Sequence, residues 1–152
     1  MWRLVRDSGV LDVNSTYCYL LLCKHFAETC CLATMGDEVV GFVTAYLPPG
    51  RPDTLFVWQI GVTLEHRSHG LANRLLKELL QRDVCRCVRF VEATVAPTNH
   101  ASRALFTALA RQLDGNLSEQ PYLAPTLFPQ GEHEPENLLR IGPFSPYQPN
   151  DR

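Results

Sequence analysis

The chain has 152 residues, 45% of them apolar, and a formal net charge of −2. That length suits one domain with its own core, and the near-neutral charge removes the electrostatic case for nucleic acid or an anionic membrane as partner. No apolar run approaches the roughly 20 residues that span a bilayer, and with no secretory pattern at the N-terminus the expected compartment is the cytoplasm.

Residues 2–7 read as a short helix stopped by Ser8-Gly9, and Asp12-Val13-Asn14-Ser15 supplies the N-cap region of a helix over 16–26. β-rich runs at 29–35 and 38–46 flank Gly36-Asp37, which is hairpin chemistry. A proline-rich loop over 47–53 leads into a strand over 54–62. Leucines at 71, 75, 76, 79 and 80 put an apolar stripe on a helix over 70–82. A strand over 88–95 ends at Ala96-Pro97, and a second amphipathic helix covers 99–113. Beyond Asp114-Gly115 the chain turns proline-rich, with strands expected at 122–128 and 137–141 and a disordered tail from 145. This order calls for an α/β (α+β) fold, a mixed and mostly antiparallel sheet with helices on both faces. Residues 1–144 form the single domain expected.

The six cysteines offer neither a Cys-x-x-Cys pair nor a Cys/His quartet with zinc spacing. They read as reduced, mostly buried thiols, and no metal is expected.

One segment carries chemistry in its order. The β-branched run 57–62 leads through Arg67-Ser68-His69-Gly70-Leu71-Ala72 directly into the leucine-striped helix. A strand, a small-residue turn and a helix N-terminus make an anion site, because the first helical N–H groups lack partners and the dipole is positive there. Gly70 removes a Cβ, Ala72 is nearly as small, and Arg67 and Arg74 add charge. Gly-x-Gly-x-x-Gly and Gly-Lys-Ser/Thr are both absent, which excludes the dinucleotide and Walker fingerprints. A ligand-free turn would use the same small residues.

The turn resembles the Arg/Gln-x-x-Gly-x-Gly/Ala pyrophosphate turn of the GNAT acyltransferases. A second stretch, Asn99-His100-Ala101-Ser102-Arg103-Ala104-Leu105-Phe106, is similar to that family's Asn-x-x-(Ala/Ser)-x-x-Leu-Tyr/Phe motif. Longer strings, at 2–23, 47–59, 90–95 and 139–144, resemble the L-2,4-diaminobutyrate acetyltransferases of ectoine biosynthesis, over nearly the whole chain. That family begins with a strand before its first helix, whereas here the chain starts inside the helix at Trp2, so the first strand is expected to be missing.

The resemblance implies acetyl-CoA as co-substrate, transfer of acetyl to the γ-amine of L-2,4-diaminobutyrate, and a homodimer. It assigns cofactor contact to the backbone at Ile60 and Val62 and to Arg67, His69, Gly70, Leu71, Ala72, Asn99 and Arg103. The side chains of Val57, Ile60 and Val62 also read as plain strand core. A thioester is already activated, so the protein must hold both partners, supply a neutral amine and stabilise the oxyanion. A substrate with two amines and a carboxylate needs acidic groups and a donor. Asp12 and Glu92 are the acidic candidates, the first also a possible helix cap. Glu92, inside an apolar strand, either binds an ammonium or acts as base, or else faces solvent. Trp58 offers a pocket wall and cation–π attraction, or core packing. The resemblance favours Tyr17 over Tyr19 on the substrate side, with Thr94 a weaker hydrogen-bonding candidate. It brings His133 into the site as a proton acceptor or carboxylate contact, against a plain surface histidine. Phe106 stands where many of the wider family carry a tyrosine that reprotonates the leaving thiolate. Glu92 and His133 are thus the candidate catalytic pair, and Asp12, Tyr17, Trp58 and Thr94 the candidate substrate contacts. The nearest alternatives are another small-amine acetyltransferase and a non-catalytic CoA-binding module.

Overall fold

A computed structural model describes residues 1–129 and 133–146. Helix α1 (Trp2–Ser8) stops where Gly9 takes a left-handed φ of 65°. Helix α2 (Thr16–His25) is capped by Ser15, whose hydroxyl accepts from the Cys18 amide at 3.2 Å. Strands β1 (Cys30–Met35) and β2 (Glu38–Tyr46) form the expected hairpin around Gly36, at φ 59°. Then come β3 (Thr54–Val62), α3 (Leu71–Leu80), β4 (Phe90–Val95), α4 (His100–Gln112), β5 (Leu117–Leu123) and β6 (Glu136–Ile141).

The sheet runs β1-β2-β3-β4-β6-β5, and every neighbouring pair is antiparallel except β3 and β4. Its two faces bury different helices. Leu75, Leu76, Leu79 and Leu80 of α3 and Phe106 and Leu109 of α4 pack with Val43, Val57, Val91 and Ala93. On the other face Val5 of α1 and Tyr19 and Leu22 of α2 pack against Phe42. Gly61 lets α1 come this close, since a Cβ there would meet the Phe42 ring at 2.6 Å and Leu4 at 3.0 Å.

Two features position the site. Thr44 pairs with Gln59 while Ala45 pairs with Val57, so Trp58 is an extra residue on β3. This bulge keeps Val57 and Ile60 on one face despite their odd spacing, and turns Gln59 and Gly61 to the other. The Thr44 hydroxyl repairs the ladder there, accepting from the Gln59 amide at 3.1 Å and donating to its carbonyl at 3.3 Å. The second feature is that β3 and β4 pair only over Thr54–Val57 and Phe90–Ala93. Past that point the two strands part, β3 staying with β2 and β4 with β6.

Two expectations need correction. The strand expected at 122–128 lies instead at Leu117–Leu123, followed by a 3-10 turn at Pro125–Leu127. As a sheet edge, β5 carries polar Ser118, Glu119 and Gln120 and tolerates Pro121, so its apolar pattern is weak, and Pro125 ends it. The thiols are not mostly buried: Cys31 and Cys85 are, Cys18 and Cys30 are partly covered, and Cys23 and Cys87 are exposed. Of the tail expected from 145, residues 147–152 lie outside the described residues.

Candidate active site

The parted strands divide the site into two halves. One is made of backbone. From Trp58 to Val62, β3 has β2 on one side and, among the described residues, no strand on the other. It leads through a short 3-10 turn to Ser68 and Gly70, both in left-handed backbone at φ 63° and 72°. Gly70 is the N-cap of α3, and no side chain caps that helix, in contrast to Ser15 on α2 and Asn99 on α4. A Cβ at Gly70 would meet nothing within 4 Å, so the space before the helix is open. An uncapped, ten-residue helix facing open space is a fit for a phosphate group.

The residues expected to hold the cofactor divide accordingly. Gly70, Leu71 and Ala72 form the uncapped turn, His69 is exposed beside it, and Ile60 and Val62 lie on the unpaired stretch of β3. Arg67 folds back, its Nε donating to the Val62 carbonyl at 3.1 Å. Asn99 caps α4, accepting from the Ser102 amide at 3.0 Å. Arg103 forms a two-pronged pair with Glu119 of β5 at 2.7 and 2.6 Å. Hydrogen bonds from Arg103 and Asn137 pull the Glu119 carboxyl down to about 2. Arg103 therefore serves to tie α4 to the sheet edge.

The other half is made of side chains. On β4, Glu92 and Thr94 point to the α1/α2 face, as alternation from core residues Val91, Ala93 and Val95 requires. Glu92 is 2% exposed, and its Oε1 accepts from Arg51 Nη1 at 3.0 Å and from Arg140 Nη1. Arg140 sits directly opposite on β6 and stacks over the Phe90 ring at 3.8 Å. Thr94 lies beside Glu136 at the start of β6, and burial pushes the Glu136 carboxyl above its ordinary value. Next to it, His133 stacks on Phe128, with ring centroids 3.7 Å apart, and its Nε2 lies 3.9 Å from Asp12 Oδ2. His133 Nδ1 donates to the Glu134 carbonyl at 2.6 Å, so the neutral ring presents an Nε2 lone pair.

Asp12 reaches this cluster from a loop between α1 and α2. Tyr19 donates to Gln59 Oε1 at 3.0 Å, and Gln59 Nε2 donates to the Asp12 carbonyl at 2.8 Å. That chain pins the loop to β3 at the bulge. Tyr19 is 4% exposed and belongs to the core, whereas Tyr17, on the opposite side of α2, is 67% exposed. Trp58 is likewise partly exposed rather than core.

Thus Asp12, Thr94 and His133 come together, Glu92 lies one step along β4, and Arg51, Gln59, Glu136 and Arg140 join them. Sequence reasoning missed these last four. Glu92 and Arg140 are 48 residues apart, and only the register of β4 on β6 makes them neighbours. Among the described residues no group of three His, Cys, Asp or Glu is placed to hold a metal. No helix of the described residues is long and apolar enough to cross a membrane.

Residues 3–110 match the model of the GNAT acetyltransferase family. The L-2,4-diaminobutyric acid acetyltransferase of Marinococcus halophilus is 51% identical over 145 residues, covering 95% of this chain and 84% of the relative. That of Shouchella clausii is 48% identical over 144 residues, covering 95% and 80%. Among solved structures, the diaminobutyrate acetyltransferase EctA of Paenibacillus lautus, in complex with L-2,4-diaminobutyric acid and coenzyme A, superposes with a TM-score of 0.90 at 44% identity, covering 94% of this chain and 87% of that one. Ard1 of Thermoplasma volcanium, at 16% identity and a TM-score of 0.71, shares the fold.

Proposed function

The chain belongs to the GNAT acetyltransferase family, and within it to the L-2,4-diaminobutyric acid acetyltransferases, and from that premise we propose its reaction and the residues that carry it. It transfers acetyl from acetyl-CoA to the γ-amino group of L-2,4-diaminobutyrate, giving N4-acetyl-L-2,4-diaminobutyrate for ectoine synthesis. The observation that carries this reading is the match over 95% of this chain joined to a site with acidic side chains at the point where β3 and β4 part.

The unpaired backbone of β3 at Ile60 and Val62 holds the pantetheine arm and polarises the thioester carbonyl, and the α3 N-terminus takes the pyrophosphate. Trp58 walls the acceptor side, and Tyr17 is the further aromatic assigned to the substrate. Asp12 and Glu136 receive the ammonium groups. Two guanidiniums occupy Oε1 of Glu92, so we assign proton transfer to the His133 Nε2 lone pair instead. The γ-ammonium gives its proton there, and the freed nitrogen bonds to the thioester carbon. The C–S bond breaks with its electron pair leaving on sulfur, and the second nitrogen proton passes through water to the thiolate. Phe106 is core and supplies no hydroxyl for that last step. A thiol with an ordinary pKa of about 8.5 needs none.

A single domain over residues 1–144 is supported by Phe144 at 6% exposure in the core. Six free cysteines support a reducing, cytoplasmic setting. Leu20 and Leu21, exposed on the outer face of α2, support a homodimer. The test is acetyl-CoA-dependent thiol release with L-2,4-diaminobutyrate beside ornithine, lysine and putrescine. Strong preference for diaminobutyrate is expected; equal turnover of putrescine would overturn the substrate and leave the fold intact.

A further inference from the structure

Glu92 raises a question that proton transfer does not answer: why a strand carboxylate at 2% exposure holds two arginines with one oxygen. Two guanidiniums and one carboxylate leave the group with a net charge of +1. Each arginine meets Glu92 through Nη1, and among the described residues no hydrogen bond takes the Nη2 or Nε of either. Their side chains are 46% and 33% exposed, so these donors reach solvent on the face of β4 that also carries Thr94, while Glu92 is buried between them. Arg140 is further fixed by the Phe90 ring under its guanidinium, and the loop carrying Arg51 is held by hydrogen bonds from Arg51 N to the Pro48 carbonyl at 2.9 Å and from Thr54 N to the Arg51 carbonyl at 3.2 Å.

At the other end of the same cleft the charge reverses. Asp12 and Glu136 lie beside His133, and Thr94 lies beside Glu136. Thr94 and Glu92 are two residues apart on β4, roughly 7 Å along the strand. The cleft is therefore a fixed dipole, with its positive pole one step from its negative pole. A short α-amino acid with a basic tail carries the complementary pattern: a carboxylate at one end and an ammonium at the other. A diamine carries an ammonium at both ends and would place one against a positive cluster.

Resting on the diaminobutyrate reading, we propose that Arg51 and Arg140 form the receptor for the substrate's α-carboxylate, with the buried Glu92 as the positioning residue that aims both guanidiniums. The site then selects its substrate partly by repelling diamines. Planar guanidinium forks suit a carboxylate better than a lysine would.

The experiment compares kcat/KM for L-2,4-diaminobutyrate with that for 1,3-diaminopropane, the same chain without its carboxylate. The wild-type enzyme strongly prefers diaminobutyrate. In Arg51→Gln and in Arg140→Gln that ratio falls at least about tenfold, the loss of a charge-assisted hydrogen bond. In Glu92→Gln it falls with the change carried mainly by the KM for diaminobutyrate, as misaimed rather than missing arginines require. Arg140→Gln strips a buried carboxylate of one partner and can unfold; Arg51→Gln, at an exposed side chain, then decides alone. Folded variants that keep the wild-type ratio overturn the carboxylate receptor while leaving the reaction standing. Wild-type enzyme that does not turn over diaminobutyrate overturns the underlying reading, and this inference with it.

Discussion

The two halves of the site are built by opposite means. The cofactor half is a contiguous run of backbone, from Trp58 through Ala72, in which the side chains mostly stay out of the way. The acceptor half gathers side chains from the α1–α2 loop, the β2–β3 loop, β3, β4, the loop before β6 and β6 itself. A thioester cofactor common to many reactions is met by groups every residue owns. A particular amino acid is met by charges that only a particular sequence supplies.

Substitutions should separate the halves, and the largest effect is expected in the acceptor half. His133→Gln removes the Nε2 proton acceptor, and kcat should fall about 10²-fold while the KM for acetyl-CoA holds. Steady-state kinetics with both substrates varied check this; an unchanged kcat would return the proton to another group. Next comes the cofactor half. Gly70→Val puts a β-branched residue at φ 72°. A strain of about 1–2 kcal/mol should raise the KM for acetyl-CoA about tenfold, and leave that for diaminobutyrate in place.

A smaller effect tests the bulge that joins them. Gln59→Ala cuts the chain from Tyr19 to the Asp12 carbonyl. Losing a hydrogen bond of about 1 kcal/mol should raise the KM for diaminobutyrate about fivefold with little change for acetyl-CoA. The smallest effect marks where the cofactor half ends. If Arg103 belongs to the fold, Glu119→Gln alters acid stability and not acetyl-CoA binding. The Glu119 carboxyl, held down to about 2 by Arg103 and Asn137, stabilises the fold above the ordinary carboxylate range. That contribution is lost as pH falls from about 4.5 toward 2. Unfolding followed from pH 6 to pH 2 should show the wild type's decline and a flatter profile in the variant. A raised KM for acetyl-CoA in that variant would instead put Arg103 in the cofactor half.

The difference in construction also explains what could be read from the chain before its structure. Residues 57–72 are adjacent in sequence, so strand, turn and helix start could be assigned together, and Gly70 declared its own role. The bounds of β2 and β3 follow equally from local pattern. Glu92 was visible as a carboxylate out of place among apolar neighbours, but Arg51 and Arg140 were not visible as its partners, because strand order and register are long-range facts. Glu136 was hidden in the same way, and β5 because a sheet edge needs little apolar pattern. Arg103 shows the reverse: its helical spacing after Asn99 suggested phosphate, and only the position of β5 shows that Glu119 holds it.

Of all these measurements the position of the acetyl group speaks most directly to the central claim. Enzyme, L-2,4-diaminobutyrate and acetyl-CoA labelled with 13C in the acetyl group should give one product whose NMR spectrum couples the label to the γ-nitrogen side of the chain. Acetyl on the α-nitrogen, or no labelled amide despite bound acetyl-CoA, would contradict it.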